Sequence, residues 1–356
     1  MRPSRSMSPI ARRGPEPPAQ ADTAGRRSPS HEGIPINPVS IQPLDRFDLV
    51  DGFRRLGLAP GQTALVHSAM RTLGPVDGGA GAIVGALLEV LGPNGTLVVP
   101  TFTFVHESEA DPVIDPDHDP SEMGAITEAA RRHPLARRST AFRHSFAAIG
   151  RRAAVIGDVD PRLAPFDLRS AFGVMLALDT QVVLLGVTYS NSTSHHFGEW
   201  MSDVPYRHVV DRAVRVRRPD GSVVAQVMAD YQPRPSADGS YYGSRATDFN
   251  FLGRRLEEAG GVTVAAIGNA MARRFAMRDL IALATAEAAR DHNVFRTAEG
   301  DKGHVTGLPD GRFVFSHDLL DAAGRPERHL WTVVEPTRIV GWRADWTVVG
   351  QDDDRE

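Results

Sequence analysis

Two short apolar segments with a helical pattern between them constrain this chain more than any other feature of its sequence. Residues 63–70 read TALVHSAM and residues 96–104 read TLVVPTFTF, and both are typical of short buried strands. Between them, GGAGAIVGALLEVLG (78–92) has the length and the closing glycine of a helix. Because a helix that joins two strands over about forty residues normally makes them parallel, the pattern predicts a βαβ unit. The fold class is therefore α/β, with a mostly parallel central sheet.

Further segments extend this pattern along the chain. AFRHSFAAIG (141–150) and QVVLLGVT (181–188) predict two more buried strands, and GSVVAQVMADYQ (221–232) predicts a strand with alternating polarity. Helical spacing or a glycine stop indicates several other helices. These helices are expected within residues 47–58, 122–133, 172–179, 248–262 and 277–292.

Composition divides the chain into four parts. Residues 1–40 contain eight prolines and no hydrophobic period, which predicts a disordered tail. The α/β pattern occupies residues 41–297. Strand-like pieces separated by turn residues follow in 298–350 and predict a small β-rich C-terminal appendage. Residues 351–356 form an acidic tail that is expected to fray.

The composition also excludes several classes of protein. None of the 356 residues is cysteine, so disulfides, thiolate metal sites and a cysteine nucleophile are excluded. The formal net charge of −4 is too mild to indicate a nucleic-acid partner. No apolar run reaches the roughly 18 residues of a membrane span, and the N-terminus has no apolar signal core. We therefore expect a cytoplasmic protein, a monomer or homodimer, without a membrane or nucleic-acid partner.

The residues after the predicted strand 181–188 are the strongest local candidates for chemistry. The segment TSHHFGE (193–199) lies at the carboxyl end of that strand, where open α/β sheets bind ligands. If a helix begins near Ser192, His196 and Glu199 are i, i+3 neighbours, and the carboxylate can orient the imidazole as a general base. One alternative is a capped helix start, at Ser192 or Thr193, with surface histidines. Another is a metal site, which would use His195, His196, Glu199 and His208.

A second candidate is the segment 106–124, which carries seven acidic residues and no lysine or arginine. Such a loop attracts a polycation through its electrostatic field, and Glu107 and Asp111 are its expected contacts with substrate amines. The alternative is a solvated loop with turn-forming Asp-Pro pairs. Asp230, at the end of the alternating segment, is a further carboxylate that indicates little by itself.

The glycine-rich segment 67–81 joins a strand to a helix. Backbone N–H groups in such a turn can bind a phosphate, although neither GxGxxG nor GxxxxGK spacing is present. Tight chain reversal is the alternative explanation for its glycines.

Taken in order, these motifs resemble the aminoglycoside 3-N-acetyltransferase family, also called the antibiotic acetyltransferases. The resemblance covers about 44–295 and preserves the order of six blocks. The blocks are VHSAMRTLGPVDGGAGAIVGALLEVLGPNGTLVVPTFT (66–103), MGAITEAARR (123–132), RRSTAFRHSFAAIG (137–150), VVLLGVTYSNSTSHHFGE (182–199), ADYQ (229–232) and DFNFLGRRLEEAGGVTVAAIGNA (248–270).

The resemblance implies a three-layer αβα domain, acetyl-CoA as co-substrate, no metal, and an amine of an aminoglycoside-like polycation as acceptor. It makes His196 the base, held by Glu199 or Asp230, and it adds Thr193 and Tyr231 as substrate contacts. Two family segments that line the CoA site also have counterparts in this chain. The implied CoA contacts are His67, Ser68, Ala69, Met70, Thr101, Arg138 and Ser139.

Two departures from the family pattern favour a relative that acts on a specialised metabolite. The second serine of the family's HSS segment is Ala69 here, and its usual His-Pro pair is Ala141-Phe142. The expected reaction is direct acetyl transfer to an amine. The alternatives are another amine-bearing acceptor and a non-catalytic antibiotic binder. A hydrolase with Ser68 or Ser145 as nucleophile is disfavoured, because no GxSxG motif surrounds either serine.

Overall fold

The structure is a computed structural model that describes residues 42–234 and 247–296, together with the backbone of four strands between 304 and 353. The predicted disordered tail, residues 1–40, lies outside the described residues. In the described ranges, no helix combines the length and the apolar character needed to cross a membrane.

The described residues contain eight α-helices. The first helix begins with a capping box, in which the Asp45 carboxylate accepts a hydrogen bond from the Asp48 N–H and the Asp48 carboxylate accepts one from the Asp45 N–H. All helices that the sequence predicted are present, and the fourth is an addition. The helices are α1 (Arg46–Arg55), α2 (Gly79–Leu91), α3 (Ala125–Arg131), α4 (Ala153–Gly157), α5 (Ala171–Ala177), α6 (Ser194–Met201), α7 (Asn250–Glu258) and α8 (Met277–Ala288).

Three sheets contain the strands of the described chain. The first and second predicted strands and the strand before the 193–199 segment are all present. In chain order the strands are β1 (Thr63–Ser68), β2 (Thr96–Pro100), β3 (Val113–Ile114), β4 (Arg137–Arg138), β5 (Phe146–Gly150), β6 (Gln181–Leu185), β7 (Arg207–Arg217), β8 (Val223–Pro233), β9 (Val262–Ile267), β10 (Ala270–Ala276), β11 (His304–Gly307), β12 (Phe313–Leu320), β13 (Pro326–Val340) and β14 (Arg343–Asp353).

The central sheet has seven strands in the order β4-β5-β2-β1-β6-β10-β9. β1 pairs in parallel with β2 and with β6, which confirms the βαβ unit. The prediction of a mostly parallel sheet is wrong, because the other four strand pairs are antiparallel. The reason is visible at β9 and β10: only residues 268 and 269 separate them, and so short a turn can join antiparallel neighbours but not parallel ones.

Helices cover both faces of the central sheet. Leu65 of β1 packs in a core that includes side chains of α5, α6 and α8, whereas its neighbours Ala64 and Val66 pack in a second core with α1 and α2. Burial on both faces explains why the central strands are continuously apolar. Because each fully buried Leu or Val side chain contributes about 1.5–3 kcal/mol, the strands β1, β2 and β6 form a stable frame for whatever follows their carboxyl ends.

A separate sheet of β3, β7 and β8 carries long antiparallel strands. β7 pairs with β8 over its whole length, from Arg207 opposite Pro233 to Arg217 opposite Val223. The sequence predicted β8 but not β7. At the start of β7, Arg207 is buried and Val209 is exposed, which reverses the amphipathic pattern by which a strand is recognised.

The C-terminal strands β11, β12, β13 and β14 form a four-stranded antiparallel sheet in chain order. The strand-like pieces expected between 298 and 350 are therefore strands. β14 ends at Asp353, three residues beyond the boundary expected at 350. The division of the chain into an acetyltransferase domain and an appendage stays a prediction.

Candidate active site

The carboxyl ends of β1 and β6 lie side by side, because the two strands are parallel and Ser68 pairs with Leu185. The segment after β1 contains expected CoA contacts, and the segment after β6 leads to α6 and His196. Gly186 allows the two segments to approach closely: its φ is +68°, and a Cβ there would collide with the Thr72 hydroxyl. Two stretches that are more than a hundred residues apart thus meet at one sheet edge.

His196 and Glu199 form the central pair of the site. The His196 Nδ1 atom lies 2.6 Å from Glu199 Oε2, which is the i, i+3 contact expected on this helix. Glu199 is fully buried, and Arg207 Nε lies 2.6 Å from the same carboxylate oxygen. The His196 side chain keeps 24% of its surface exposed, and no described residue hydrogen-bonds its Nε2 atom. That ring nitrogen is therefore available to a ligand.

Burial lowers the pKa of His196 below its ordinary value. The positive charge of Arg207 lowers it further, while Glu199 opposes the shift. The imidazole is therefore neutral near pH 7, and Nδ1–H can donate to Glu199 while Nε2 keeps its lone pair. Such an imidazole can accept a proton from an attacking amine.

The phenyl ring of Phe166 links α6 to the end of β8. Its centroid lies 6.3 Å from the His196 ring, 5.2 Å from the His144 ring and 5.6 Å from the Tyr231 ring. Burial, with a contribution from Arg143, holds the pKa of His144 well below its usual range. His196 and Tyr231, which are 35 residues apart in sequence, therefore border one aromatic cluster.

Asp230 is buried at the end of β8 and is held by cations of this chain. Its Oδ2 atom accepts a 2.7 Å hydrogen bond from Gln232 and lies 3.4 Å from Arg143 Nη2 and 3.7 Å from Arg212 Nε. The other terminal nitrogen of the Arg143 guanidinium, Nη1, lies 3.0 Å from Glu107 Oε1. Among the described residues, no hydrogen bond or ion pair joins Asp230 to His196, so Glu199, and not Asp230, is the carboxylate in contact with His196.

The acidic segment 106–124 is more neutralised than its sequence suggests. Six of its seven carboxylates have partners within the chain. Two of these partners are arginines of the neighbouring strand β7. Hydrogen bonds that the His106 ring donates to the carboxylates of Asp119 and Glu109 raise its pKa to about 8. The loop therefore presents a weaker negative field than expected. The pairs are Glu107–Arg143, Glu109–His106, Asp111–Arg215, Asp115–Arg217, Asp119–His106 and Glu122 with the N–H groups of Phe104 and Val105.

The first expected CoA stretch lies at and after the end of β1. His67 is buried, and burial lowers its pKa to about 4, so it is neutral near pH 7. Ser68, Ala69 and Met70 are half-buried and lead into a short 3-10 helix. The Ala69 N–H donates to the Leu185 carbonyl at 3.0 Å, which ties this stretch to β6.

The second expected CoA stretch forms an internal hydrogen-bond network. Arg138 donates to the Thr101 carbonyl at 2.6 Å, to the Thr101 hydroxyl at 3.2 Å and to the Pro116 carbonyl at 3.1 Å. Ser139 is buried, and its hydroxyl accepts a 2.9 Å bond from the Phe146 N–H. A contact between the Arg138 guanidinium and a CoA phosphate would require these bonds to break, because its donors already have acceptors inside the protein.

The sequence left two alternatives for the 193–199 segment, a capped helix start with surface histidines and a metal site. Thr193 occupies the N-cap of α6, but its side chain makes no capping hydrogen bond. His195 is not a surface residue: it is buried and stacks on Phe249, with ring centroids 4.7 Å apart. In the described ranges, no group of three or more His, Asp or Glu side chains is arranged to hold a metal ion.

Four side chains of this region were not identified from the sequence, namely Arg143, His144, Arg207 and Gln232. Arg143, His144 and Gln232 lie within two of the blocks that resemble the family, but the resemblance assigned them no role, and Arg207 lies outside the six blocks. Arg143 and His144 directly follow the Ala141-Phe142 departure, which is the one sequence signal that pointed to this position.

Known proteins that are similar to this chain are aminoglycoside acetyltransferases. The family model described as aminoglycoside 3-N-acetyltransferase matches residues 65–288. Aminoglycoside N(3)-acetyltransferase IV from Salmonella sp is 32% identical over 251 residues, which cover 70% of this chain and 89% of that protein. Aminoglycoside N(3)-acetyltransferase VII from Streptomyces paromomycinus is 30% identical over 261 residues, which cover 67% and 89%.

Solved structures share the fold. The apoenzyme of aminoglycoside acetyltransferase AAC(3)-IVa matches with a TM-score of 0.56 and 28% identity, over 72% of this chain and 92% of that one. Aminoglycoside acetyltransferase AAC(3)-Xa matches with a TM-score of 0.60 and 26% identity, over 68% and 92%. The mixed α/β fold, the matched family model and the relatives together show that this chain belongs to the aminoglycoside 3-N-acetyltransferase family and is an N-acetyltransferase.

Proposed function

We propose that the protein transfers the acetyl group of acetyl-CoA directly to an amine of an aminoglycoside-like acceptor, with His196 as general base. The amine nitrogen attacks the thioester carbonyl carbon and gives up a proton to Nε2 of His196. A C–N bond forms, the C–S bond breaks, and the proton leaves with the CoA thiol. No acyl-enzyme is needed, which suits a chain without cysteine.

The observation that carries the proposal is the contact of 2.6 Å between Nδ1 of the partly exposed His196 and Oε2 of the buried Glu199. Glu199 orients the ring and stabilises the imidazolium that forms when the amine loses its proton. Burial and Arg207 keep the ring neutral before that step. General-base assistance of this kind is worth about 10²–10⁴-fold in rate.

The donor side of the proposal rests on the neighbouring ends of β1 and β6. Residues 67–70 are the stretch along which acetyl-CoA would lie, at the same sheet edge as the segment that carries His196. Helices on both faces of the central sheet are consistent with the three-layer αβα arrangement expected for the domain.

The remaining parts of the proposal rest on the sequence and the family. They are a cytoplasmic location, a monomer or homodimer, and the absence of a metal, nucleic-acid or membrane partner. A second acceptor class, an amine of another specialised metabolite, is favoured by the Ala141-Phe142 departure.

The proposal is tested with His196→Ala. We expect kcat to fall by about 10²–10⁴-fold, measured as CoA release with a thiol reagent, while the Kd for CoA in titration calorimetry changes less than about twofold. His292→Ala, which removes an exposed imidazole elsewhere, serves as the control. A parallel loss of CoA binding and turnover in His196→Ala would show that the residue is structural.

The same assay distinguishes acetyl transfer from the alternative, a non-catalytic binder of antibiotics. Release of CoA that depends on both acetyl-CoA and an aminoglycoside, with a mass increase of one acetyl group on the acceptor, supports transfer. Binding of the aminoglycoside without any CoA release would support sequestration.

A further inference from the structure

Arg143 joins Glu107, which was expected to contact acceptor amines, to Asp230 of β8. Its Nη1 atom lies 3.0 Å from Glu107 Oε1, and its Nη2 atom lies 3.4 Å from Asp230 Oδ2. One carboxylate comes from the acidic loop and the other from β8. A guanidinium thus already lies between these two carboxylates.

Carboxylates of this region pair with cations of the same chain. Three carboxylates are matched by three guanidinium groups, each within 4 Å of a carboxylate oxygen. The groups are Glu107, Asp230 and Glu199 on one side and Arg143, Arg212 and Arg207 on the other. A site for a polycation needs an excess of negative charge, because every additional ammonium group must be matched when it is desolvated. Here an additional ammonium group would have to compete with these guanidinium groups for the same carboxylates.

A cleft lies beside Asp230 and Arg143. Asp230 is buried, and its Oδ1 atom has no hydrogen-bond partner among the described residues, so one donor of a ligand can be received there. The rest of the wall is mixed: it includes the apolar Ala141-Phe142 pair and also the carboxylate of Asp160, which pairs with Arg162 at 2.7 Å.

We infer that Arg143 is a specificity-determining residue, a built-in cation that makes the site select amino sugars with a single ammonium group over polycationic aminoglycosides. The inference rests on the proposed acetyl transfer and narrows its acceptor. The Arg143 side chain is only 23% exposed, so a polycation must either displace it or lie beside it. Displacement breaks two ion pairs, and a second cation beside the guanidinium is repelled in a partly desolvated site.

The test compares acceptors of different charge on variants of Arg143. Arg143→Ala and Arg143→Met remove the charge, the latter with little loss of volume, and Arg143→Lys keeps it. Arg255→Ala, which removes an equal charge from α7 where Arg255 pairs with Glu258 at 2.9 Å, is the control. Asp230 still has Gln232 and Arg212 after the substitution, so the variants should fold, and thermal unfolding checks this.

The readout is the ratio of kcat/KM for sisomicin, a polyamine, to kcat/KM for D-glucosamine, which has one amine. We expect Arg143→Ala and Arg143→Met to raise this ratio at least about tenfold, because the repulsion and the competition for carboxylates are removed. Arg143→Lys and Arg255→Ala should stay within about threefold of the starting protein. An unchanged or lowered ratio in both charge-removing variants overturns the inference.

Binding separates this inference from the proposed function. If no acceptor is acetylated by the unaltered protein, the proposed function fails, and the Kd of sisomicin in the presence of CoA still decides on Arg143. A sisomicin Kd at least about tenfold lower in Arg143→Ala and Arg143→Met, with a steeper dependence on salt, supports the inference. An equal or higher Kd in both variants overturns it.

Discussion

His196 and His106 both contact carboxylates, and their pKa values move in opposite directions. His196 has one carboxylate, Glu199, which also pairs with Arg207, and burial lowers the pKa of the imidazole. His106 has Asp119 at one ring nitrogen and Glu109 at the other, and these carboxylates raise its pKa to about 8. A neighbouring carboxylate therefore does not by itself decide the charge of a histidine. The number of carboxylates, the nearby cations and the depth of burial decide it.

The same comparison separates two roles. His196 keeps one ring nitrogen without a partner among the described residues, so it is suited to accept a proton. Both ring nitrogens of His106 are bound, so it is suited to tie the acidic loop together. The surroundings differ accordingly: His196 borders a packed aromatic cluster, whereas the loop around His106 is held by ion pairs.

The largest effect should come from the packing beside His196. Phe166 is fully buried against the His144, His196 and Tyr231 rings, so Phe166→Ala should lower the free energy of unfolding by about 3–5 kcal/mol. Leu168→Ala, two residues away and 59% exposed, should change it by less than about 0.5 kcal/mol. Urea unfolding measures both. A loss below about 1 kcal/mol in Phe166→Ala would mean that the site is not supported by a packed core.

A smaller effect is expected from Glu199→Gln, which tests the carboxylate side of the comparison. Without the carboxylate the imidazolium is less stabilised, so kcat should fall by about 10²-fold. Glu199 raises the pKa of His196, so its removal should move the acid limb of the kcat/KM profile to lower pH. The unaltered protein should have this limb below pH 6.5, the ordinary histidine value. An acid limb that moves upward in Glu199→Gln would contradict the assigned pair.

The smallest effect concerns His106 and appears in stability rather than turnover. Because its folded pKa of about 8 exceeds the ordinary 6.5, its contribution is complete below pH 6.5 and is lost as pH rises through 8. After a discount for solvent screening, the loss should be about 1 kcal/mol. Urea unfolding at pH 6 and pH 9 should show this difference in the unaltered protein and not in His106→Asn. An equal pH dependence of the free energy of unfolding in both proteins would show that His106 does not cause the loss of stability at high pH.

Most elements of the central domain could be predicted from the sequence, and so could the central pair of the site. Residues 78–92 have helical spacing between two apolar runs, and α2 lies there between β1 and β2. His196 and Glu199 are three residues apart on one helix, so their contact follows once the helix is recognised. The mostly parallel sheet was predicted wrongly, because the direction of a neighbouring strand depends on how the chain returns.

The sequence by itself determined what depends on near neighbours along the chain: the helix that carries His196 and Glu199, the strand before that helix and the family to which the chain belongs. Only the tertiary structure decided the charge of the site. Arg207, the first residue of β7, contacts Glu199 of α6. Arg143 contacts Asp230 of β8, which is 87 residues away in the sequence. Local periodicity carries no information about such pairs, because their geometry is set when distant strands and loops pack together and exclude water.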